Sequence, residues 1–147
     1  MNDTPSPLSP AERAARALLR FIGTDIEAWL SLLADDAVVE FPYAPSIQRP
    51  ARLEGKAAIA AYFRPAIALF RDLTFRDVRL VPGADPDVAV VEAHGAATIA
   101  TTGKRYEQDY VVFVRTRNDQ VVSYREYWNP LPGIAAFGLD DLPGGAS

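Results

Sequence analysis

Three side chains in the second half of this chain could move protons: His94, Asp109 and Glu126. Asp109 and Glu126 fall in the stretch YEQDYVVFVRTRNDQVVSYREYWNP, Tyr106 to Pro130, among valines, tyrosines, a phenylalanine and a tryptophan. A carboxylate enclosed by apolar and aromatic groups is costly when charged. Its pKa rises, into the working range of a general acid or base. Two neighbouring carboxylates also repel each other, so that one keeps its proton while the other ionises. Such a pair suits proton transfer at carbon or oxygen, the protonated partner stabilising a developing oxyanion. The plainer reading puts Asp109 at a solvated rim and pairs Glu126 with Arg115 or Arg125 at an edge.

The elements that must carry these groups are strands. Asn118-Asp119 is a two-residue hairpin turn, since both residues tolerate positive φ. With Arg117 paired to Gln120, simple counting sets Phe113 opposite Tyr124, Val111 opposite Glu126 and Asp109 opposite Trp128. One face then carries Asp109, Val111, Phe113, Tyr124, Glu126 and Trp128, and is expected to line a pocket. Asp109 and Glu126 become diagonal neighbours, roughly 7–8 Å apart at Cα. The other face (Tyr110, Val112, Val114, Tyr127) is expected to meet a second subunit. A two-residue turn at Thr102-Gly103 would set His94 opposite Val111, where it could adjust the pKa of Glu126; a bulged loop reverses its facing, and that of Glu92. A lone strand histidine is more often structural or interfacial.

Upstream, Ser9-Pro10-Ala11-Glu12 is a capping box with proline at the first helical position, and Gly23 ends that helix. Thr24 opens a second helix bearing Trp29. Val38–Tyr43 reads as a short strand, followed by an irregular loop to Glu54. A third helix runs from Lys56 to about Phe70, with Pro65 expected to kink or break it near Ala61–Arg64. Strands follow at Thr74–Val81, Val88–Thr101, Lys104–Arg117 and Gln120–Asn129. Helices first and an antiparallel meander second is an α+β pattern. The expectation is a cone-shaped α+β barrel, cystatin-like, with three N-terminal helices packed on a strongly curved, mostly antiparallel sheet. Trp29, Phe41, Tyr43, Tyr62 and Phe63 are expected in the pocket wall together with Val111, Phe113, Tyr124 and Trp128. The Tyr62 hydroxyl could donate to a substrate oxygen, although buried tyrosines more often pack and bond a backbone carbonyl.

The chain has 147 residues and a net charge of −4, with nearly half its residues apolar. That suits one domain, residues 9–141, between a Pro/Ser-rich tail at 1–8 and a second tail at 142–147, both expected to be disordered. No basic stripe points to nucleic acid, and no apolar run reaches the ~20 residues of a membrane helix. The absence of cysteine removes disulfides and thiolate chemistry, and a single histidine removes multi-histidine metal sites. A cytoplasmic protein is expected.

Leu33-Ala34-Asp35-Asp36-Ala37-Val38-Val39-Glu40-Phe41-Pro42 resembles the helix-to-strand segment of the nuclear transport factor 2-like superfamily. So do Leu53-Glu54-Gly55-Lys56-Ala57-Ala58-Ile59 and Tyr124-Arg125-Glu126-Tyr127-Trp128-Asn129-Pro130. The superfamily includes ketosteroid isomerases, SnoaL-like polyketide cyclases and phenazine biosynthesis A/B proteins, and the likeness covers about residues 10–140. The pattern is most similar to the phenazine group, through Asp85-Pro86, Tyr106-Glu107, Arg125-Glu126 and Asn129-Pro130. That resemblance implies an acid/base role for Glu126. The group's histidine and serine fall at Tyr62 and Ala66, which argues against the phenazine condensation itself. The ketosteroid isomerase aspartates fall at Phe41 and near Val111, which argues against steroid isomerisation. What the resemblance implies is a SnoaL-like pocket enzyme without metal or organic cofactor, commonly a homodimer packed through its sheet. It would act by isomerisation, cyclisation, dehydration or condensation on a small hydrophobic carbonyl or polyketide-like compound. The alternative is a non-catalytic ligand-binding or dimerisation module of the same fold.

Overall fold

A computed structural model describes residues 7–145. Helix α1 (Pro10–Ile22) begins at the predicted capping box: Ser9 Oγ accepts from the Glu12 amide and Glu12 accepts from the Ser9 amide. Helix α2 (Ile26–Ser31) is capped by Asp25, not Thr24; Asp25 accepts from the Ala28 amide at 3.0 Å. The Thr24 hydroxyl instead donates back to the Arg20 carbonyl. Helix α3 (Lys56–Ile67) is continuous through Ala61–Arg64, where Pro65 was expected to kink or break it, and stops two residues beyond the proline. Phe70, expected at its end, starts a strand.

Six strands form one sheet: β1 (Leu33–Glu40), β2 (Arg52–Glu54), β3 (Phe70–Pro82), β4 (Val88–Ile99), β5 (Arg105–Arg117) and β6 (Gln120–Tyr127). Their order is β2-β1-β6-β5-β4-β3, and every pair is antiparallel except β1 with β6. The fold is the expected cone-shaped α+β architecture, with the three N-terminal helices on a curved, mostly antiparallel sheet. Bulges bend it. In β3 the pairing with β4 slips after Arg71 and again after Arg76, and Asp72 and Asp77, at these slips, have φ of 53°. A short polar side chain tolerates that left-handed geometry.

A fourth helix, α4 (Pro130–Phe137), follows the last strand, where no helix was expected. Asn129 Oδ1 accepts from the Leu131 amide at 3.0 Å, and proline occupies the first helical position. The C-terminal boundary drawn at Leu142 also falls too early: Leu142 is buried with Phe137, Ile47, Ile99 and Tyr106. Of the predicted tails, residues 1–6 and 146–147 lie outside the described residues.

The main core packs α1, α2 and α3 on the concave sheet face, centred on the fully buried Trp29. The cluster around Phe137 and Leu142 is separate. Among the described residues no helix is long and apolar enough to cross a membrane.

Candidate functional site

Facing on the hairpin is decided by one residue. Asn118 and Asp119 have φ of 51° and 63°, the predicted turn, and Arg117 pairs with Gln120 as counted. Thr116 pairs with Val121, but Arg115 pairs with Ser123, so Val122 is an extra residue in β6. From there the register runs one residue off the simple count: Val112, not Val111, lies opposite Glu126, and Val114 lies opposite Tyr124. A one-residue slip exchanges the faces of one strand relative to the other.

Tyr124, Glu126 and Trp128 therefore line the interior cavity as expected, but their β5 neighbours are Tyr106, Gln108, Tyr110, Val112 and Val114. Asp109, Val111 and Phe113 lie on the outer face, with Asp109 and Phe113 exposed. The expected Asp109–Glu126 pair does not form. His94 does share a face with Asp109, but that face is the outer one: His94 Nδ1 lies 2.8 Å from Asp109 and Nε2 lies 3.2 Å from Glu107. These contacts, Asp109 first, raise the His94 pKa. Glu92, two residues away on β4, is exposed as well. Tyr43 is exposed against Tyr127, whose ring also meets Phe113. Trp29 is core behind the wall, its ring centroid 4.5 Å from Phe63 and 5.7 Å from Tyr124. Phe41, Tyr62 and Phe63 line the cavity as expected.

The cavity measures about 150 Å³. Its walls are apolar and aromatic apart from a few polar groups. Glu126 is the one carboxylate among its described lining residues. Tyr124 donates to its Oε1 at 2.8 Å. Among the described residues Oε2 has no protein partner, yet it is not sealed, so it faces the cavity. This explains why Glu126 sits inside the protein with only intermediate burial. Burial pushes its pKa up to about 7, against a smaller lowering by the Tyr124 hydrogen bond. At neutral pH it populates both protonation states.

The tyrosines stay protonated. Burial first, and the Glu126 charge after it, raise the pKa of Tyr62. Tyr106 is pushed up to about 12, chiefly by burial, and burial also raises Tyr110 and Tyr124 well above the ordinary tyrosine range. The Tyr62 hydroxyl has no protein partner among the described residues and, like Oε2, is not sealed. Tyr106 and Tyr110 share a hydroxyl contact of 2.9 Å, which leaves one O–H of the pair free to donate elsewhere. The cavity thus combines one ionisable acid with several neutral donors. Among the described residues no three of His, Cys, Asp and Glu converge as metal ligands.

Gln108, Arg49 and α4 were not anticipated. Gln108 is buried, donates to the Asn129 carbonyl at 2.6 Å and accepts from its amide at 3.0 Å, tying β5 to the start of α4. The signal for α4 was present in Asn129-Pro130, a cap followed by a first-turn proline, with Ile134 and Phe137 at helical spacing. No local pattern marks Arg49, most of whose contacts come from a segment about ninety residues away.

The SnoaL-like domain model matches residues 14–124. An uncharacterized PhzA/B-like protein of Pseudomonas aeruginosa, PA3332, is 38% identical over 117 residues, 78% of this chain and 79% of that protein. A crystal structure of a candidate isomerase from Bacillus subtilis superposes with a TM-score of 0.83 at 34% identity, covering 90% of this chain and 96% of the other. RV0760c from Mycobacterium tuberculosis, in complex with estradiol-17beta-hemisuccinate, superposes with a TM-score of 0.69 at 29% identity, covering 82% and 95%.

Proposed function

The chain belongs to the SnoaL-like domain family, and from that premise we propose a pocket enzyme in which Glu126 moves protons on a small hydrophobic carbonyl or polyketide-like compound. The carrying observation is the Glu126 carboxyl group itself: one oxygen held by Tyr124, the other open to an aromatic cavity, and a pKa of about 7.

The chemistry follows from that placement. Ionised Glu126 takes a proton from the carbon beside the carbonyl, and the electron pair moves onto the carbonyl oxygen. The Tyr62 hydroxyl donates to that oxygen as charge develops. Protonated Glu126 then returns the proton, to the same carbon or another, so that no proton is gained or lost. Isomerisation, cyclisation, dehydration and condensation share the abstraction; in cyclisation and condensation the proton goes to the new alkoxide oxygen, and in dehydration to the departing hydroxyl, which leaves as water. Tyr124 is a positioning residue, fixing which Glu126 oxygen meets the substrate. The steroid-like compound bound by RV0760c supports a hydrophobic ligand.

The test is deuterium incorporation beside the carbonyl of apolar cyclic ketones, cyclohexanone and 2-tetralone, in D₂O. Wild type is expected to accelerate exchange and Glu126→Gln to abolish the effect. Equal exchange by Glu126→Gln would overturn the role. Ligand binding without exchange by wild type would favour the binding-module reading.

A cytoplasmic homodimer goes with this proposal. The outer sheet face carries Val111, Phe113 and Tyr127 with Tyr43 beside them, and Phe113 is 43% and Tyr43 52% exposed. That aromatic patch, not the Tyr110–Val114 face first expected, would join the subunits. Solution mass at micromolar concentration should be that of a dimer; a monomer would refute it.

A further inference from the structure

The cavity walls are not held equally. The sheet is bound by its ladders, and α1, α2 and α3 by the main core. The segment after α4, Leu139–Gly145, also contributes to the lining, through Leu142 and Pro143. It has one buried side chain, Leu142, and Leu139 is half exposed.

What holds this segment is Arg49. Its Nε donates to the carbonyls of Leu142 and Pro143 at 3.3 and 3.2 Å. Nη2 donates to Leu139, Asp140 and Leu142 at 3.2–3.4 Å. Nη1 donates to Ile47 and Gln48 in its own loop. Every part of the guanidinium is engaged by backbone, at distances longer than the usual 2.9–3.0 Å. The segment begins after Gly138, whose φ of +84° is a left-handed geometry that glycine adopts freely. The near end of α4 is anchored by Gln108 and Asn129. A short stretch with one apolar anchor and one side-chain clasp belongs to the low-stability end of a fold.

The segment also bears on Tyr62. A Cβ placed on Gly144 would lie 2.6 Å from Tyr62 Cε2, so the backbone there lies against the ring edge, and one placed on Gly145 would lie 3.0 Å from Arg49 Nη2. Both tip glycines let the chain pass between these two side chains.

We propose that Leu139–Gly145 is a strap that covers the cavity when clasped by Arg49, and that Arg49, acting through it, is a positioning residue for Tyr62. Ligand enters when the clasp releases. This rests on the reading of Tyr62 as a donor, and the test needs no turnover. Arg49→Ala and Gly144→Ala should each speed amide hydrogen exchange in residues 139–145 by about tenfold or more. Both should increase acrylamide quenching of Trp128, which lines the cavity, while Trp29, sealed in the core, stays silent. The Tyr62 ring resonances should shift in both, and Arg49→Lys, which keeps the charge but offers one nitrogen in place of the three-nitrogen fork, should restore the three readouts only in part. Faster strap exchange with unchanged Trp128 quenching would overturn the gate, and unchanged Tyr62 resonances would overturn the positioning role. Gly144→Ala keeps the test open should Arg49→Ala fail to fold. Strap exchange and Trp128 quenching in Glu126→Gln should keep wild-type values, so failure of the strap and failure of Glu126 as acid/base are read separately.

Discussion

The two faces of the β5–β6 hairpin place the same chemical group in opposite circumstances. Inside, Glu126 meets aromatic rings and one hydroxyl, and burial lifts its pKa to about 7. Outside, Asp109 is 92% exposed and spends its charge on His94, on the sheet face opposite the cavity. The acids differ by one methylene; their surroundings separate an acid/base group from a surface ion pair. Exposed ion pairs contribute little to stability, whereas a buried acid costs stability and gains reactivity.

The widest separation between the faces should appear in rate. Glu126→Gln should lower carbonyl-adjacent deuterium exchange by about 10²–10⁴-fold, the usual range for a lost acid/base group, while Asp109→Asn leaves it unchanged. A loss in Asp109→Asn as large as that in Glu126→Gln would erase the distinction. Deleting Val122 attacks its cause. Without the bulge the faces of β5 and β6 must realign, and the loss should exceed about 4 kcal/mol in urea unfolding. A deletion variant that folds normally and keeps a Glu126 pKa near 7 would show that the bulge does not set the facing.

Stability against pH gives the next effect. Folded Glu126 keeps its proton to about pH 7, whereas the unfolded chain releases it near 4.5. The native state thus binds more protons in that window, so stability falls as pH rises through it, and the penalty is complete above 7. Two and a half pKa units correspond to about 3 kcal/mol. Glu126→Gln should therefore be the more stable protein above pH 7 by up to about that amount, and match wild type below 4.5. Parallel stability curves would mean that the carboxyl is solvated.

The smallest effect belongs outside. The His94 pKa is raised above 6.5 chiefly by Asp109 and then by Glu107. Its contribution is present below 6.5 and lost as pH rises through the folded value. Asp109→Asn should lower the His94 pKa toward 6.5 in an NMR titration, with only a slight change in stability. A His94 pKa that does not move would assign the shift to Glu107.

Much of the fold was legible because its signals are local. The Ser9 capping box, the Gly23 stop and the Asn118-Asp119 turn depend on residues within a few positions of one another, and all appear as read. Glu126, Tyr124 and Trp128 were legible as one face because strand alternation is local too. The helix at Pro130–Phe137 had a local start signal that the run of preceding strands obscured.

The sequence by itself determined the helix-then-meander order, the hairpin turn and the presence of an acid among aromatics. Tertiary structure alone decided which β5 residues join Glu126, which side of the sheet holds Asp109 and His94, and that Arg49 reaches the C-terminal segment. The reason is physical. The strict count across the turn points one face of β5 inward, while the alternating charges Arg105, Glu107, Asp109, Arg115 and Arg117 point to the other, so local pattern alone does not choose between them. One extra residue in β6, accommodated by the curvature of the whole sheet, does.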